Sequence, residues 1–302
     1  MKNKEITVSI GIPAYNEEVN IKNLLLSLLA QKLIGFKIKE IIILSDGSDD
    51  KTISSAKSVD SNLIKIIDRK IRRGKIICQN EILKLINSDV LVLLDADVIP
   101  ANDMLLQNLV KPILEDKADL VSGKIKPLPS STWIENTINF SARIKNDIFE
   151  KVADVNSVYL CHGRVRAFSR ELYKKLIWPT NIKSGEDAYS YFFCITRGFI
   201  FSYQKRAIIL YRSPNTLNDH TKQSVRFIQS KRQMKNYFNN EDVNKAYQIN
   251  KGLFLRNILY NFVSHPILLS LYLMIYTLST LLSFVKQQNN QLWEISISSK
   301  KL

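Results

Sequence analysis

Four short runs rich in Ile, Val and Leu, each leading into a polar loop and then a helical stretch, constrain this chain more than any other feature. Val8–Ile12, Ile41–Leu44, Ile64–Ile67 and Val90–Leu94 are nearly continuous apolar segments. Runs of this length and composition read as strands covered on both faces of a parallel sheet. Between them, Asn20–Gln31 carries apolar residues at 21, 24, 25, 28 and 29, the spacing of a helix face, and Lys51–Val59 and Lys75–Ile86 continue the alternation. Strand and helix in turn predict stacked βαβ units, hence an α/β fold with an open, mostly parallel sheet flanked by helices. The 302 residues are 45% hydrophobic and 24% charged, enough for a large core, which excludes a disordered or collagen-like chain. No period of 20–50 residues repeats.

The second half is organised differently. Pro127-Leu128-Pro129-Ser130-Ser131 marks an elbow. Trp133–Val152 then reads as an amphipathic helix, Val165–Phe168 and Ala207–Tyr211 as further strands, and Asp219–Phe238 as a basic helix. Gly252–Val263 is an amphipathic segment that runs into Pro266–Val285, 20 residues without a charge. As a helix this run covers roughly 30 Å, the thickness of a hydrocarbon layer, and it is expected to span or enter a membrane, a buried core helix being the alternative. The division expected is 1–240 as one α/β domain and 241–302 as the amphipathic segment, the membrane helix 266–285 and a short tail. The amino end, Met1–Glu5, runs straight into an apolar strand and shows no targeting signal. Cys78, Cys161 and Cys194 are scattered, which fits neither a disulfide framework nor a zinc site and favours a reducing compartment.

Charge is concentrated. The net charge is +15, of which residues 1–138 hold +1 and residues 139–260 hold +12. A basic half of that kind suggests an anionic partner: a diphosphate, an anionic membrane face or nucleic acid. No nucleic-acid reading motif accompanies it, so nucleic acid is not the expected partner.

In open α/β sheets ligands bind beyond the carboxyl ends of the strands. Pro13-Ala14-Tyr15-Asn16-Glu17-Glu18 follows the first strand, and Ser45-Asp46-Gly47-Ser48-Asp49-Asp50 ends the second. Arg69 to Lys75, including Arg73-Gly74-Lys75, follows the third, and Asp95-Ala96-Asp97 ends the fourth. Polar and charged loops thus converge on one edge from all four strands. Asp95 and Asp97 can hold a hard divalent cation, Mg or Mn, that neutralises a diphosphate. Arg73 and Lys75, at a helix start, offer cations and free N–H groups to phosphate oxygens. Asp46 can accept the imino N–H of a pyrimidine, or else close its own turn.

This ordered set resembles the family 2 glycosyltransferases, whose GT-A fold transfers sugars from nucleoside diphosphates with inversion. The resemblance implies that Pro13, Tyr15, Glu17 and Asp46 line the nucleoside pocket, that Lys75 and Asp95 stand near the donor and that Asp97 binds the metal. Ser45 stands where the family often has a second Asp. Gly185-Glu186-Asp187, before an amphipathic stretch, is similar to the family's acidic pair, which makes Asp187 the expected catalytic base beside Glu186; acidic residues also suit a helix N-terminus regardless of function. Cys161-His162-Gly163-Arg164 resembles the acceptor side of that pocket, and His220 is a candidate third metal ligand. Gln223-Ser224-Val225-Arg226-Phe227 resembles the Gln-x-x-Arg-Trp motif of membrane-bound polysaccharide synthases, with Phe for Trp, which implies donor-side contacts for Gln223, Arg226 and Phe227. Gln229-Ser230-Lys231-Arg232-Gln233 is a second candidate for the same motif.

The function expected is therefore an inverting glycosyltransferase at the cytoplasmic membrane face. It would use a UDP-sugar first and a GDP-sugar next, and a hydroxyl acceptor that is lipid-linked or a cell-surface glycan precursor. The rivals are a non-catalytic, membrane-attached sugar-nucleotide binder and a sugar nucleotidyltransferase. The latter should carry a glycine-rich loop after strand one, and Pro13-Ala14-Tyr15-Asn16 has no glycine.

Overall fold

The computed structural model describes residues 5–151, 156–285, 297–300 and 302, and the side chains of all of these except 283–285 and 297. In chain order the elements are β1 (Ile6–Ala14), α1 (Ile21–Leu29), β2 (Phe36–Asp46), α2 (Thr52–Lys57), β3 (Ile64–Arg69), α3 (Lys75–Leu85), β4 (Val90–Leu94), β5 (Val98–Pro100), α4 (Leu105–Leu114) and β6 (Leu120–Pro127). There follow α5 (Trp133–Phe149), β7 (Val165–Ser169), α6 (Arg170–Lys175), α7 (Glu186–Thr196), β8 (Phe201–Tyr211), α8 (Leu217–Met234), α9 (Asn240–Ala246), α10 (Lys251–Ser264) and α11 (Pro266–Val285). The expected helix over 133–152 ends at Phe149, and Val152 lies outside the described residues.

Among the described residues eight strands form one sheet in the order β3-β2-β1-β4-β7-β6-β8-β5. Side-chain alternation along the strands splits their apolar residues between two cores. Val8, Ile10, Ile12, Val90 and Val92 face one core with α1 and α4, whereas Ile42, Leu44, Leu91 and Leu93 face the other with α3, α6 and α7. Both faces are covered, as the unbroken Ile/Val/Leu runs require. The sheet is mixed rather than mostly parallel, which corrects that expectation. β1·β2, β2·β3, β1·β4 and β6·β8 are parallel, while β4·β7, β6·β7 and β5·β8 are antiparallel. β7 turns the direction because it enters beside β4 from the opposite end, pairing Val90 with Ser169 and Leu94 with Val165.

Strand order reverses at β1. The chain builds outward through β2 and β3, then returns to place β4 on the other side of β1. Such a switch point opens a crevice beyond the carboxyl ends of the strands. The loops after β1 and β4 therefore flank the crevice.

A third, smaller cluster joins Phe140, Ile144 and Ile148 of α5 to Leu269 and Tyr272 of α11. α11 occupies the uncharged run expected to enter a membrane, but Leu269, Tyr272, Ile275 and Ser279 lie along one side of it and are buried. Among the described residues no helix is long and apolar enough to cross a membrane. The expectation of a spanning helix is corrected accordingly: one stripe of this helix docks on α5 and α8, and Ser and Thr side chains interrupt its apolar surface.

Candidate active site

The turn after β1 is laced to the turn after β2. Asn16 adopts a left-handed conformation, φ 54°, which Asn tolerates better than most residues. Its backbone N–H donates to Ser48 Oγ at 3.1 Å, its side-chain amide reaches Asp49 Oδ1 at 2.5 Å, and the Asp49 N–H donates back to Asn16 Oδ1. Glu17 N–H donates to Thr52 Oγ1 at 2.7 Å. Pro13 and Ala14 end β1 in register with Leu44 and Ser45, so Tyr15 and Glu17 leave the sheet beside Asp46.

Asp46 binds backbone. Its two oxygens accept from the N–H groups of Arg73 at 2.8 Å and Gly74 at 2.7 Å. Neither reading of Asp46 from the sequence describes these contacts: they tie it to the loop after β3, while its own turn is closed by Ser45 Oγ, which meets the Ser48 N–H at 3.4 Å and the Ser48 hydroxyl at 3.1 Å. Gly47 permits the contacts of Asp46: its φ is 74°, and a Cβ there would lie 2.8 Å from the Arg72 backbone nitrogen. Arg73 thus contributes its backbone, and its side chain is exposed. The neighbouring Arg72 guanidinium lies 4.2 Å from the centre of the Tyr15 ring.

At the start of α3 Lys75 joins the two halves of the chain. Its Nζ lies 2.5 Å from Asp95 Oδ1 and 2.9 Å from Glu186 Oε1. Burial works to lower the lysine's pKa, but the two carboxylates outweigh it and hold the ammonium above its ordinary value. Burial raises Asp95, and the charge of Asp97 adds to this. Burial, and after it the same Asp97 charge, pushes Glu17 up to about 7. Asp97 itself is gripped by Arg164, whose Nη1 stands 3.1 and 3.0 Å from its two oxygens.

Glu186 and Asp187 open α7 but differ in environment. Glu186 is buried; its burial alone would raise its carboxyl, but Lys75 and Arg166 bring it below the usual range. Asp187 has no cation in hydrogen-bond contact among the described residues. Burial, with the Glu186 charge next, lifts it to about 6, and its Oδ1 accepts the N–H of Ala188 at 2.8 Å. The loop 161–164 lies against this pair, since a Cβ on Gly163 would sit 3.0 Å from Glu186 Oε1 and 3.5 Å from Asp187 Oδ2. Arg164, at the end of that loop, turns instead to Asp97.

Two buried side chains anchor the first turn of α7. Arg166 Nη1 donates to the Glu186 carbonyl and to Ser190 Oγ at 2.7 Å, and Trp178 Nε1 donates to the same two oxygens. Neither residue was singled out from the sequence. The signal for Arg166 was present, a single cation inside the apolar strand Val165–Phe168, because a buried charge requires a partner. That Arg164 would meet Asp97 had no local signal.

α8 closes the far side. Ser230 packs against Gly185, whose φ is 86° and whose missing Cβ would fall 2.0 Å from Ser230 Oγ. Gln233 Oε1 accepts the N–H groups of Lys183 and Ser184, both at 3.1 Å. The second motif candidate therefore buttresses the turn that presents Asp187. The first, Gln223, Arg226 and Phe227, lies one to two turns earlier on α8; Phe227 is exposed and its ring neighbour is Tyr159, at 6.2 Å. His220, the candidate third metal ligand, joins no group of three or more His, Cys, Asp and Glu among the described residues. It is buried near Lys145, its Nε2 lies 3.3 Å from Ser224 Oγ, and burial lowers it to about 4.

Among the described residues no group of three or more His, Cys, Asp and Glu gathers as a metal cluster. Asp95 and Asp97 nevertheless suit an ion of the Mg or Mn kind, which takes one or two carboxylates and completes its shell with substrate phosphates and water. The charge of Asp97 raises both Asp95 and Glu17, so negative charge converges there, and an ion would exchange with Arg164 on Asp97.

Comparison with known proteins agrees with this arrangement. The family model described as Glycosyl transferase family 2 matches residues 9–177, more than half of the chain. A poly-beta-1,6-N-acetyl-D-glucosamine synthase of Staphylococcus epidermidis is 26% identical over 226 residues, covering 74% of this chain and 54% of its own length. The chain thus spans about half the length of the curated relatives it matches. Among solved structures, a mannosyltransferase from Pyrobaculum calidifontis in complex with GDP-Man and Mn2+ superposes with a TM-score of 0.61 at 17% identity, over 95% of this chain and 77% of that one. Residues 1–349 of S. aureus TarS give 0.57 at 18% identity, over 85% and 72%. Glucosyl-3-phosphoglycerate synthase from Mycobacterium tuberculosis, in complex with Mn2+, uridine diphosphate and phosphoglyceric acid, gives 0.52 at 19% identity, over 74% and 77%. At these identities the structural likeness speaks for the GT-A-like fold.

Proposed function

The chain belongs to glycosyl transferase family 2, and on that premise we propose that it moves a sugar from a nucleoside diphosphate to a hydroxyl acceptor, with inversion, at a membrane face. The observation that carries this reading is the Lys75 bridge, which sets the Asp95 edge and the Glu186–Asp187 pair in one cleft. The donor edge would take the nucleotide at the turn after β1, where the Arg72 guanidinium lies over the Tyr15 ring. A UDP-sugar is the first candidate and a GDP-sugar the second; two of the structurally similar proteins were solved with GDP-Man or uridine diphosphate.

Asp95 and Asp97 would hold a divalent ion, which when bound neutralises charge on the leaving diphosphate. The remaining steps fall to this chain's own residues. Asp187, lifted to about 6, is matched to removing a proton from an acceptor hydroxyl near neutral pH. Glu186, committed to Lys75, holds that lysine in place instead. Gln223, Arg226 and Phe227 would meet the acceptor or the donor's sugar from α8.

A lipid surface is the proposed location, on the cytoplasmic side. α10 and α11 expose Phe254, Leu259, Phe262, Val263, Ile267 and Met274 in one region of the molecule. With the +12 of residues 139–260 this favours peripheral attachment to anionic headgroups and a lipid-linked acceptor. The test is sugar transfer from a panel of UDP- and GDP-sugars to lipid-linked and soluble hydroxyl acceptors, with Mg2+ or Mn2+. Transfer from at least one donor, lowered about 10²–10⁴-fold by Asp187→Asn, is expected. Donor binding without transfer to any acceptor would instead leave a non-catalytic binder.

A further inference from the structure

The loop after β1 is held by a residue from the other end of the sequence. Lys300 Nζ lies 2.8 Å from Glu17 Oε1 and donates to the carbonyl oxygens of Tyr15 and of Asn16, the latter at 3.0 Å. A lysine ammonium has three N–H donors, and here each has an acceptor in one three-residue turn. The backbone on either side is secured as well. Asn20 Nδ2 donates to the Lys300 carbonyl at 2.5 Å, and the Leu302 N–H donates to Asn20 Oδ1 at 3.3 Å. Earlier in the segment, Ser298 N–H donates to Asp219 Oδ2 at 3.1 Å, the Asn215 N–H donates to Ser298 Oγ, and Ser299 is buried. The segment thus runs from the start of α8 to the turn of β1.

We propose that Lys300 is a positioning residue of the donor site, holding the Tyr15–Glu17 turn in the shape that receives a nucleoside diphosphate. The inference rests on the donor-site reading given above. Two physical effects support it. The turn contains Asn16 in a left-handed conformation, which costs energy and persists only where the surroundings fix it. Carbonyls on both sides of that strain accept from Lys300. The ammonium also offsets the charge of Glu17, which stands near Asp97 and would otherwise present a second carboxylate to an anionic donor. With its donors spent on the turn, Lys300 acts through Tyr15 and Glu17.

Calorimetry on the full chain with UDP and GDP as probes, in Mg2+, tests this alongside donor kinetics. Lys300→Ala should weaken nucleotide binding by about tenfold or more, the worth of a lost charge-assisted contact. The loss should appear in the donor KM, and Lys300→Arg, which can still donate to the carbonyls and pair with Glu17, should recover much of it. Melting temperature separates this from a general loss of structure: a role in the donor site moves nucleotide affinity far more than stability. Equal or tighter binding by Lys300→Ala would overturn the proposal, because the segment would then be idle or would occupy the donor's place. A wild-type chain that binds neither nucleotide would overturn the donor-site reading itself.

Discussion

Glu186 and Asp187 are adjacent carboxylates with opposite shifts, and the cause is the neighbour each has. Lys75 and Arg166 stabilise the charge on Glu186, while burial and Glu186 destabilise it on Asp187. A base must be ionised to work, so transfer should fall as pH drops through about 6. Asp187→Asn keeps the shape of the side chain and should lower the transfer rate by about 10²–10⁴-fold at saturating substrates. Linkage sets the accompanying stability change. The folded Asp187 carboxyl titrates above its ordinary value of 3.8, so its contribution is fully present below that value and is lost as pH rises through about 6. Asp187→Asn should therefore melt no lower than wild type at pH 8, and its advantage should shrink by pH 5. Glu186→Gln should behave inversely, losing about 2 kcal/mol of stability because the buried Lys75 loses one of its two anions. It should cost less transfer than Asp187→Asn; a larger loss at Glu186 would move the base one residue upstream.

At the scale of elements, two helices carry the consequences. α7 begins at Gly185, in a left-handed conformation with Ser230 where a Cβ would go. Gly185→Ala should cost at least about 1–2 kcal/mol from the backbone alone. It should lower transfer as well, because it displaces the turn that carries Asp187. Chemical denaturation and the transfer assay read the two effects. α10 and α11 form the other pair. α11 buries a stripe against α5 and leaves Ile267, Met274, Leu278 and Leu281 exposed, while α10 leaves Phe262 and Val263 exposed. Replacing Phe262 and Leu281 together by Glu should weaken sedimentation with anionic lipid vesicles by roughly tenfold or more, with the far-ultraviolet circular dichroism unchanged. Equal sedimentation of the variant and the wild type would remove this surface as the point of attachment.

The whole molecule is built around the reversal of strand order at β1. Loops from β1, β2 and β4 meet there with the start of α3, and the basic second half closes over them through β7, α7 and α8. A diphosphate entering this crevice meets clustered carboxylates, so its binding should depend on a divalent ion. UDP- or GDP-sugars should raise the melting temperature more with Mn2+ or Mg2+ than without, since a ligand specific to the folded state stabilises it. Asp97→Ala should remove the ion-dependent part; because it also takes the partner of Arg164, the free variant should melt lower, and the ion-dependent shift is read against each protein's own baseline. An unchanged ion-dependent shift in that variant would count against Asp97 as a ligand.

Much of this was legible in the residues themselves. β4 spans the residues its apolar run marked, and β1, β2, β3 and their helices lie where periodicity put them, because alternation and helical spacing are local properties of the chain. The loops that carry Tyr15, Asp46, Lys75 and Asp95 followed from strand polarity, since a parallel sheet brings its carboxyl ends to one edge. β6 went unread although Ser122, Lys124 and Lys126 alternate with Val121, Gly123 and Ile125; an alternation this short, broken by Gly and ended by Pro, is a weak signal until β7 and β8 pair with it. The reversed direction of β7 is likewise a matter of pairing, on which periodicity is silent. The same holds for the uncharged run 266–285, whose composition suits lipid or core alike until α5 covers one side of it. The ion pairs of Lys75 with Glu186, Arg164 with Asp97 and Lys300 with Glu17 join residues remote in sequence. Charges at such separations leave no periodic trace, and only the tertiary structure, by burying them together where each needs a partner, decides which of them meet.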